Sequence, residues 1–415
     1  MLSKVFVPSF VLVNYFWLIT VTALLNVGVG VGWLTTLLLP IIIYLMLLKG
    51  KIREPFNFID ALWVLCFIWM VCTWLFNDYP HKGTLIVRCF ASQIAYMMTY
   101  WIARKSSINY LKVILEKAYI PLILTSIIGI YCFIFYPSWY QNIIDNAIAN
   151  RDGQMTEFQL AELTRLRSIF DSPYTLSYFA AISLIYEWFC ITTESKIVTI
   201  RYIVYIIILL LVMVLAMMRA PIACVIFSLL IASLYGLKNK TTFGSSATIL
   251  LIFITAAGVI YLTLSHYMSD FGHLVNKIES VTNDGDGLLV DRLFLMDVDM
   301  TVVGDGVGRH AIYADKYPPN YSLRDGEYMK TIAEQGFIGL TLLLLLFFSG
   351  MIKGMLYFKK LGFEFCLICM LLFCMIGANP LSTSDKHCIL FWLALGQIST
   401  YKNKNNNGLN YNSNI

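Results

Sequence analysis

The chain has 415 residues, 59% of them hydrophobic and only 13% charged, with a mean hydropathy of +0.71 and a formal net charge of +5. A soluble domain of ordinary make-up carries about a quarter charged residues, so a water-facing globule is excluded. The basic residues fall in short clusters between apolar blocks, which argues against a nucleic-acid surface and makes them markers of membrane orientation.

Apolar blocks of about 18 to 22 residues have the length needed to cross a hydrocarbon core about 30 Å thick. In chain order they predict about twelve spans, at 5–25, 33–48, 59–76, 84–103, 113–135, 173–191, 202–217, 221–237, 247–264, 329–348, 363–378 and 388–400. The first block has a single Lys before it and no small-residue cleavage site, and a second block follows at once, so it is expected to stay as a helix. Alternate connections carry Lys49, Lys51 and Arg53; Arg104, Lys105 and Lys112; Lys196 and Arg201; Lys238 and Lys240; Lys353, Lys359 and Lys360; and Lys402 and Lys404. The opposite short loops hold only Lys82, Arg219 and Lys386. The positive-inside rule then places both termini in the cytoplasm of a single all-α polytopic domain over 1–415.

That orientation puts the two long connections, 136–172 and 265–328, on the outer face, where long loops are usually functional. Both mix charge with aromatic and apolar residues such as Trp139, Phe158, Phe294 and Tyr313, so short amphipathic helices lying on the membrane are expected in them. Several motifs are set aside. The glycine-rich stretch 304–308, GDGVG, lacks the strand and helix of a nucleotide-binding frame and reads as a flexible turn. The DGDG of 284–287 lacks the closing Glu of a calcium loop, since Leu293 stands there. The five histidines show no metal-ligand spacing, and the ten cysteines, Cys366 and Cys369 included, lie almost entirely in apolar segments and read as packing. Neither metal nor cofactor is implied.

The arginines differ because several stand where a charge is costly. Arg219 lies in AMMRAP, a hairpin between two apolar helices, where an ionised side chain either snorkels to headgroups or meets an anion. Arg165 and Arg167 end the first long loop, and Arg292 opens an amphipathic run within the second. Guanidinium groups suit phosphate, because their planar fork makes two parallel charge-assisted bonds. Outward arginines gathered at the membrane surface suggest a pocket for a lipid-linked phosphate.

Four segments also carry a family resemblance: RLRSIFDSP from Arg165 to Pro173, the Arg219-Ala220 turn, Arg292 followed by Gly304-Asp305-Gly306, and YMKTIAEQGFIG from Tyr328 to Gly339. In this order and spacing they resemble the superfamily of O-antigen polymerases and O-antigen ligases. The resemblance implies a GT-C-like membrane glycosyltransferase using an undecaprenyl-pyrophosphate-linked glycan on the periplasmic face of a bacterial inner membrane. It implies Arg219 and Arg292 as pyrophosphate ligands, with Arg165 or Arg167 beside them, and a chain-length regulator and a flippase as partners. Ligases of the superfamily carry His-Asn or His-Ser shortly before the final conserved helix; here that offset gives Asp325-Gly326, so the chain resembles the polymerases better.

The expected chemistry has the arginines stabilising negative charge on the departing lipid pyrophosphate while a carboxylate, Asp325 or Glu327, takes the proton of the acceptor hydroxyl. Asp325 as a helix cap, and Glu327 paired with Lys330, are the structural alternatives. A lipid-linked oligosaccharide flippase would also have about twelve spans, but would carry ionised or Gly/Pro-broken helices at mid-membrane, whereas these spans read as clean with charge gathered at one face.

Overall fold

The computed structural model describes residues 3–29, 33–48, 54–106, 108–141, 166, 168, 173–193, 200–216, 219–236, 301–311, 314–321, 323, 326–381 and 386–401. Every regular element among them is helical: α1 (Ser3–Val13), α2 (Tyr15–Val29), α3 (Trp33–Leu47), α4 (Phe58–Phe76), α5 (Lys82–Cys89), a π turn at Phe90–Ile94, α6 (Ala95–Met97), α7 (Thr99–Lys105), α8 (Tyr110–Phe135), α9 (Pro173–Thr193), α10 (Ile200–Leu215), α11 (Arg219–Gly236), a 3-10 turn at Ala314–Lys316, α12 (Glu327–Leu356), α13 (Phe358–Cys374) and α14 (Cys388–Thr400). Among the described residues α4, α8 and α12 are long and apolar enough to cross a membrane, and shorter apolar helices accompany them. The span expected at 247–264 lies outside the described residues.

The helices follow the apolar blocks, with departures where polar groups find partners. The 84–103 block is not one regular helix but a run from α5 to α7 through the π turn. Helix α12 outruns its 329–348 apolar block at both ends, from Glu327 to Leu356, and carries the buried pair Lys330 and Glu334 within it. The second long connection, 265–328, is described only from residue 301 onward, so the amphipathic helices expected in 265–300 lie outside the described residues. Its described part, 301–311 and 314–321, is built of turns with one 3-10 turn, folded back onto α12.

Polar residues collect at two ends of the bundle. At the end carrying the basic connections, Asn57 and Asp60 form a reciprocal capping box that starts α4. Asp60 then receives a bidentate pair from Arg104 on α7, at 2.8 Å to Nε and 2.5 Å to Nη2, and both side chains are fully buried. Tyr100 donates to the same carboxylate, and Ser399 of α14 joins it. Lys353 donates to the Ser399 carbonyl at 2.9 Å, so the closing turns of α7, α12 and α14 meet there.

At the opposite end the short connections meet the 301–323 segment. The Tyr79 hydroxyl donates to the Val307 carbonyl at 2.6 Å, and Asn320 Nδ2 donates to that of Pro80 at 2.9 Å. Asn379 Nδ2 donates to the Leu323 carbonyl at 2.5 Å. All ten thiols are free and nine are buried, which fits their reading as packing groups. Cys224 of α11 and Cys374 of α13 place their sulfurs 2.9 Å apart.

Candidate active site at the end of a broken helix

Helix α12 is interrupted at Gly336, whose φ of 67° and ψ of −174° leave helical space. A break exposes backbone groups that the helix would otherwise bond, and such groups in an apolar environment cost several kcal/mol each unless satisfied. Here the freed groups are paired. The carbonyls of Ala333 and Glu334 accept from the N–H groups of Asp305 and Gly306, at 2.7 and 3.0 Å. Trp69 Nε1 of α4 donates to the Gln335 carbonyl at 2.8 Å. Below the break, the N–H groups of Phe337 and Ile338 donate to the carbonyls of Thr301 and Val302, at 3.3 and 3.4 Å.

This lacing needs two backbones in near contact, which explains glycine on both sides. A Cβ on Gly336 would lie 2.2 Å from the Val302 oxygen, and one on Gly304, with φ of 84°, 2.4 Å from the nitrogens of Gln335 and Gly336. The GDGVG stretch is therefore a turn, as its composition implies, but a packed one rather than a flexible one.

The turn delivers side chains onto the first half of α12. Glu334, 1% exposed, accepts from the His310 N–H at 3.0 Å, and Lys330 approaches its other oxygen at 3.7 Å. The Lys330 ammonium is buried and makes no hydrogen bond among the described residues. His310 is buried beside Tyr321, with Nδ1 3.3 Å from the Tyr321 carbonyl and Nε2 3.6 Å from Asp305. Burial lowers the basicity of its imidazole, and Arg309 adds to that, while the Tyr321 carbonyl and Asp305 oppose it. Asp305 also pairs with Arg309 at 3.2 Å, and that guanidinium is about one-third exposed. A buried acid, a buried cation and a neutral imidazole thus lie close together, beside the partly exposed Arg309.

Glu327 opens α12, 2% exposed, and accepts from the Leu381 N–H at 3.0 Å, while its own N–H donates to the Ala378 carbonyl at 2.9 Å. The pairing with Lys330 that stood as the structural alternative for Glu327 is not made: Lys330 turns to Glu334, one helical turn onward. Glu327, Thr331, Gln335 and Gln93 contribute to an enclosed cavity of about 20 Å³, room for about one water molecule. The rest of its lining is mainly apolar, with Met70, Met97, Leu343 and Trp392, so Glu327 is the one carboxylate at this cavity among the described residues.

Of the residues singled out by sequence, Glu327 is thus placed in the buried cluster. Arg219 is the first residue of α11. Asp325, Arg292, Arg165 and Arg167 lie outside the described residues. Leu166, between the last two in sequence, donates its N–H to the Leu215 carbonyl at 3.4 Å, and Ser168 donates to the Thr125 carbonyl at 2.5 Å; Leu215 ends α10, just before the turn to Arg219. His310, Asp305, Arg309 and Glu334 were passed over by sequence reasoning. The signal was present in part, since Lys330 and Glu334 stand four apart inside an apolar block, and a charge pair at that spacing shares one helix face. The span is accordingly less clean than its hydropathy implies.

Comparison of the chain with protein-family models, curated proteins and solved structures found no match.

Proposed function

We propose that this chain is a membrane glycosyltransferase of the O-antigen polymerase type, joining undecaprenyl-pyrophosphate-linked repeat units on the periplasmic face of a bacterial inner membrane. The observation that carries the reading is the buried cluster of Glu327, Lys330, Glu334 and His310, at the end of the bundle opposite the basic connections. In this reading the twelve-span, GT-C-like arrangement has both termini in the cytoplasm, and the site faces outward. Glu327, or Asp325 two residues before it, accepts the proton of the acceptor hydroxyl as its oxygen attacks the anomeric carbon of the donor sugar. The bond from that carbon to the pyrophosphate breaks, and the leaving oxygen keeps the electron pair. Arg219 and Arg292, with Arg165 and Arg167, stabilise the charge that develops there. Arg309, held by Asp305 and partly exposed, is a further candidate for that role. A chain-length regulator and a flippase of the same pathway are the partners this reading implies.

A second reading has support of its own. A lipid-linked oligosaccharide flippase calls for ionisable groups and a broken helix within the membrane, and α12 has both, at Lys330, Glu334 and Gly336. One experiment separates the two, with ligase as a third outcome. Purified protein in detergent is given lipid-linked repeat units: chain growth without two compartments excludes a pure transporter. In parallel, a strain lacking the gene should show lipopolysaccharide core bearing one repeat. Bare core together with absence of chain growth would exclude the polymerase and leave ligase or transport, told apart by whether the stranded lipid-linked glycan lies on the outer or the inner face.

A further inference from the structure

A second cavity lies far from this cluster, toward the end that carries the basic connections. It has a volume of about 930 Å³ and is walled by α2, α8, α9 and α10 together with Asn14, at the junction of α1 and α2. Such a volume suits a ligand of drug or lipid-fragment size. Its charged lining comes from the turns nearest the basic end: Glu116 and Lys117 of α8, Glu187 of α9 and Arg201 of α10. Deeper along the helices the lining becomes Trp17, Ile120 and Asn14. The rim is built rather than incidental, because the Tyr186 hydroxyl bonds Glu116 at 3.4 Å and that of Tyr119 bonds the Arg201 carbonyl at 3.5 Å.

Two carboxylates and two cations stand at one mouth beside an apolar wall, and Glu116 also has an exposed i,i+4 pairing with Lys112 at 4.0 Å, which an entering ammonium would replace. A purely anionic headgroup would satisfy only the cations, and a soluble zwitterion would leave the apolar wall against water. Lys117 and Arg201 make no ion pair among the described residues, so both are available to a phosphate. We propose that this groove binds a phospholipid with a phosphoethanolamine headgroup, its phosphate on Lys117 and Arg201, its primary ammonium on Glu116 and Glu187, and an acyl chain along Trp17 and Ile120. The ammonium supplies N–H donors to the carboxylates, which a quaternary choline lacks and a glycerol headgroup cannot match in charge. The site is independent of the glycosyl-transfer reading and lies at the other end of the bundle.

The test uses full-length protein, delipidated in detergent and mixed with phosphatidylethanolamine, phosphatidylcholine or phosphatidylglycerol of identical acyl chains, with retained lipid read by native mass spectrometry. Phosphatidylethanolamine should be held about tenfold more tightly than either of the others, the difference one charged hydrogen bond makes. Lys117→Ala with Arg201→Ala should weaken retention of phosphatidylethanolamine, and Glu116→Gln should reduce its advantage over phosphatidylcholine. All three positions are exposed on the protein surface, so their loss leaves the packing in place. Equal retention of the three lipids, or a preference unchanged in the variants, would overturn the assignment. Free glycerophosphoethanolamine is the remaining arm: competition as effective as that of the whole lipid would overturn the lipid and assign a soluble ligand.

Discussion

The pair Lys330 and Glu334 offers a test in which stability and chemistry part company. Both side chains are almost wholly buried, 3.7 Å apart, and their environments are unequal. Glu334 keeps a hydrogen bond from the His310 N–H whatever happens to Lys330, whereas the Lys330 ammonium has no hydrogen-bond partner among the described residues. Removing one member of a buried ion pair costs about 3–5 kcal/mol, because the other charge is left uncompensated. Glu334→Gln, which strands the ammonium, should therefore lie near the upper end of that range, and Lys330→Met below it. With roughly 2 °C of melting temperature per kcal/mol for a large domain, the glutamine variant should melt roughly 10 °C lower in detergent. The double variant carries neither charge and should recover most of the loss, a coupling of about 3 kcal/mol. Melting temperature and polymer synthesis are then measured on all four proteins. Recovery of stability without recovery of synthesis would place the pair in the chemistry, and recovery of both would make it structural. Strictly additive losses, or Lys330→Met as the more damaging change, would refute the reasoning.

Two further outcomes follow from the broken helix. Gly336→Ala combines a backbone conformation open essentially to glycine alone with overlap on the Val302 carbonyl, so it should cost about 2–6 kcal/mol and release the 301–306 turn, read as new protease cleavage there; an unchanged digest would show that the turn does not depend on the close approach. Because burial depresses His310 below its ordinary value of 6.5, the unfolded chain binds the proton first: the stabilisation is complete above that value and is lost as pH falls through the folded one. Amide exchange across 301–311 should accordingly quicken, after correction for intrinsic rates, between about pH 7.5 and about pH 5.5, and a His310→Asn variant should lose that dependence.

The helical architecture was legible because it rests on local quantities. Runs of apolar residues bounded by charge mark helices whatever their neighbours, and the described runs are helical, three of the helices being long and apolar enough to cross a membrane. Only the tertiary structure decided where polar groups inside or beside those runs find partners. Hydropathy averages Lys330 and Glu334 away, although their pairing with each other and with the His310 backbone is what lets α12 carry them. Composition marked 304–308 as a turn, but that it laces a helix break at Gly336 depends on two backbone segments about thirty residues apart meeting at contact distance. Glu327 was visible as an acid at a helix start, while the Leu381 N–H that holds it comes from a connection more than fifty residues away. A sequence states which groups are costly to bury; which distant backbone or side chain relieves each of them is fixed only when the chain closes on itself.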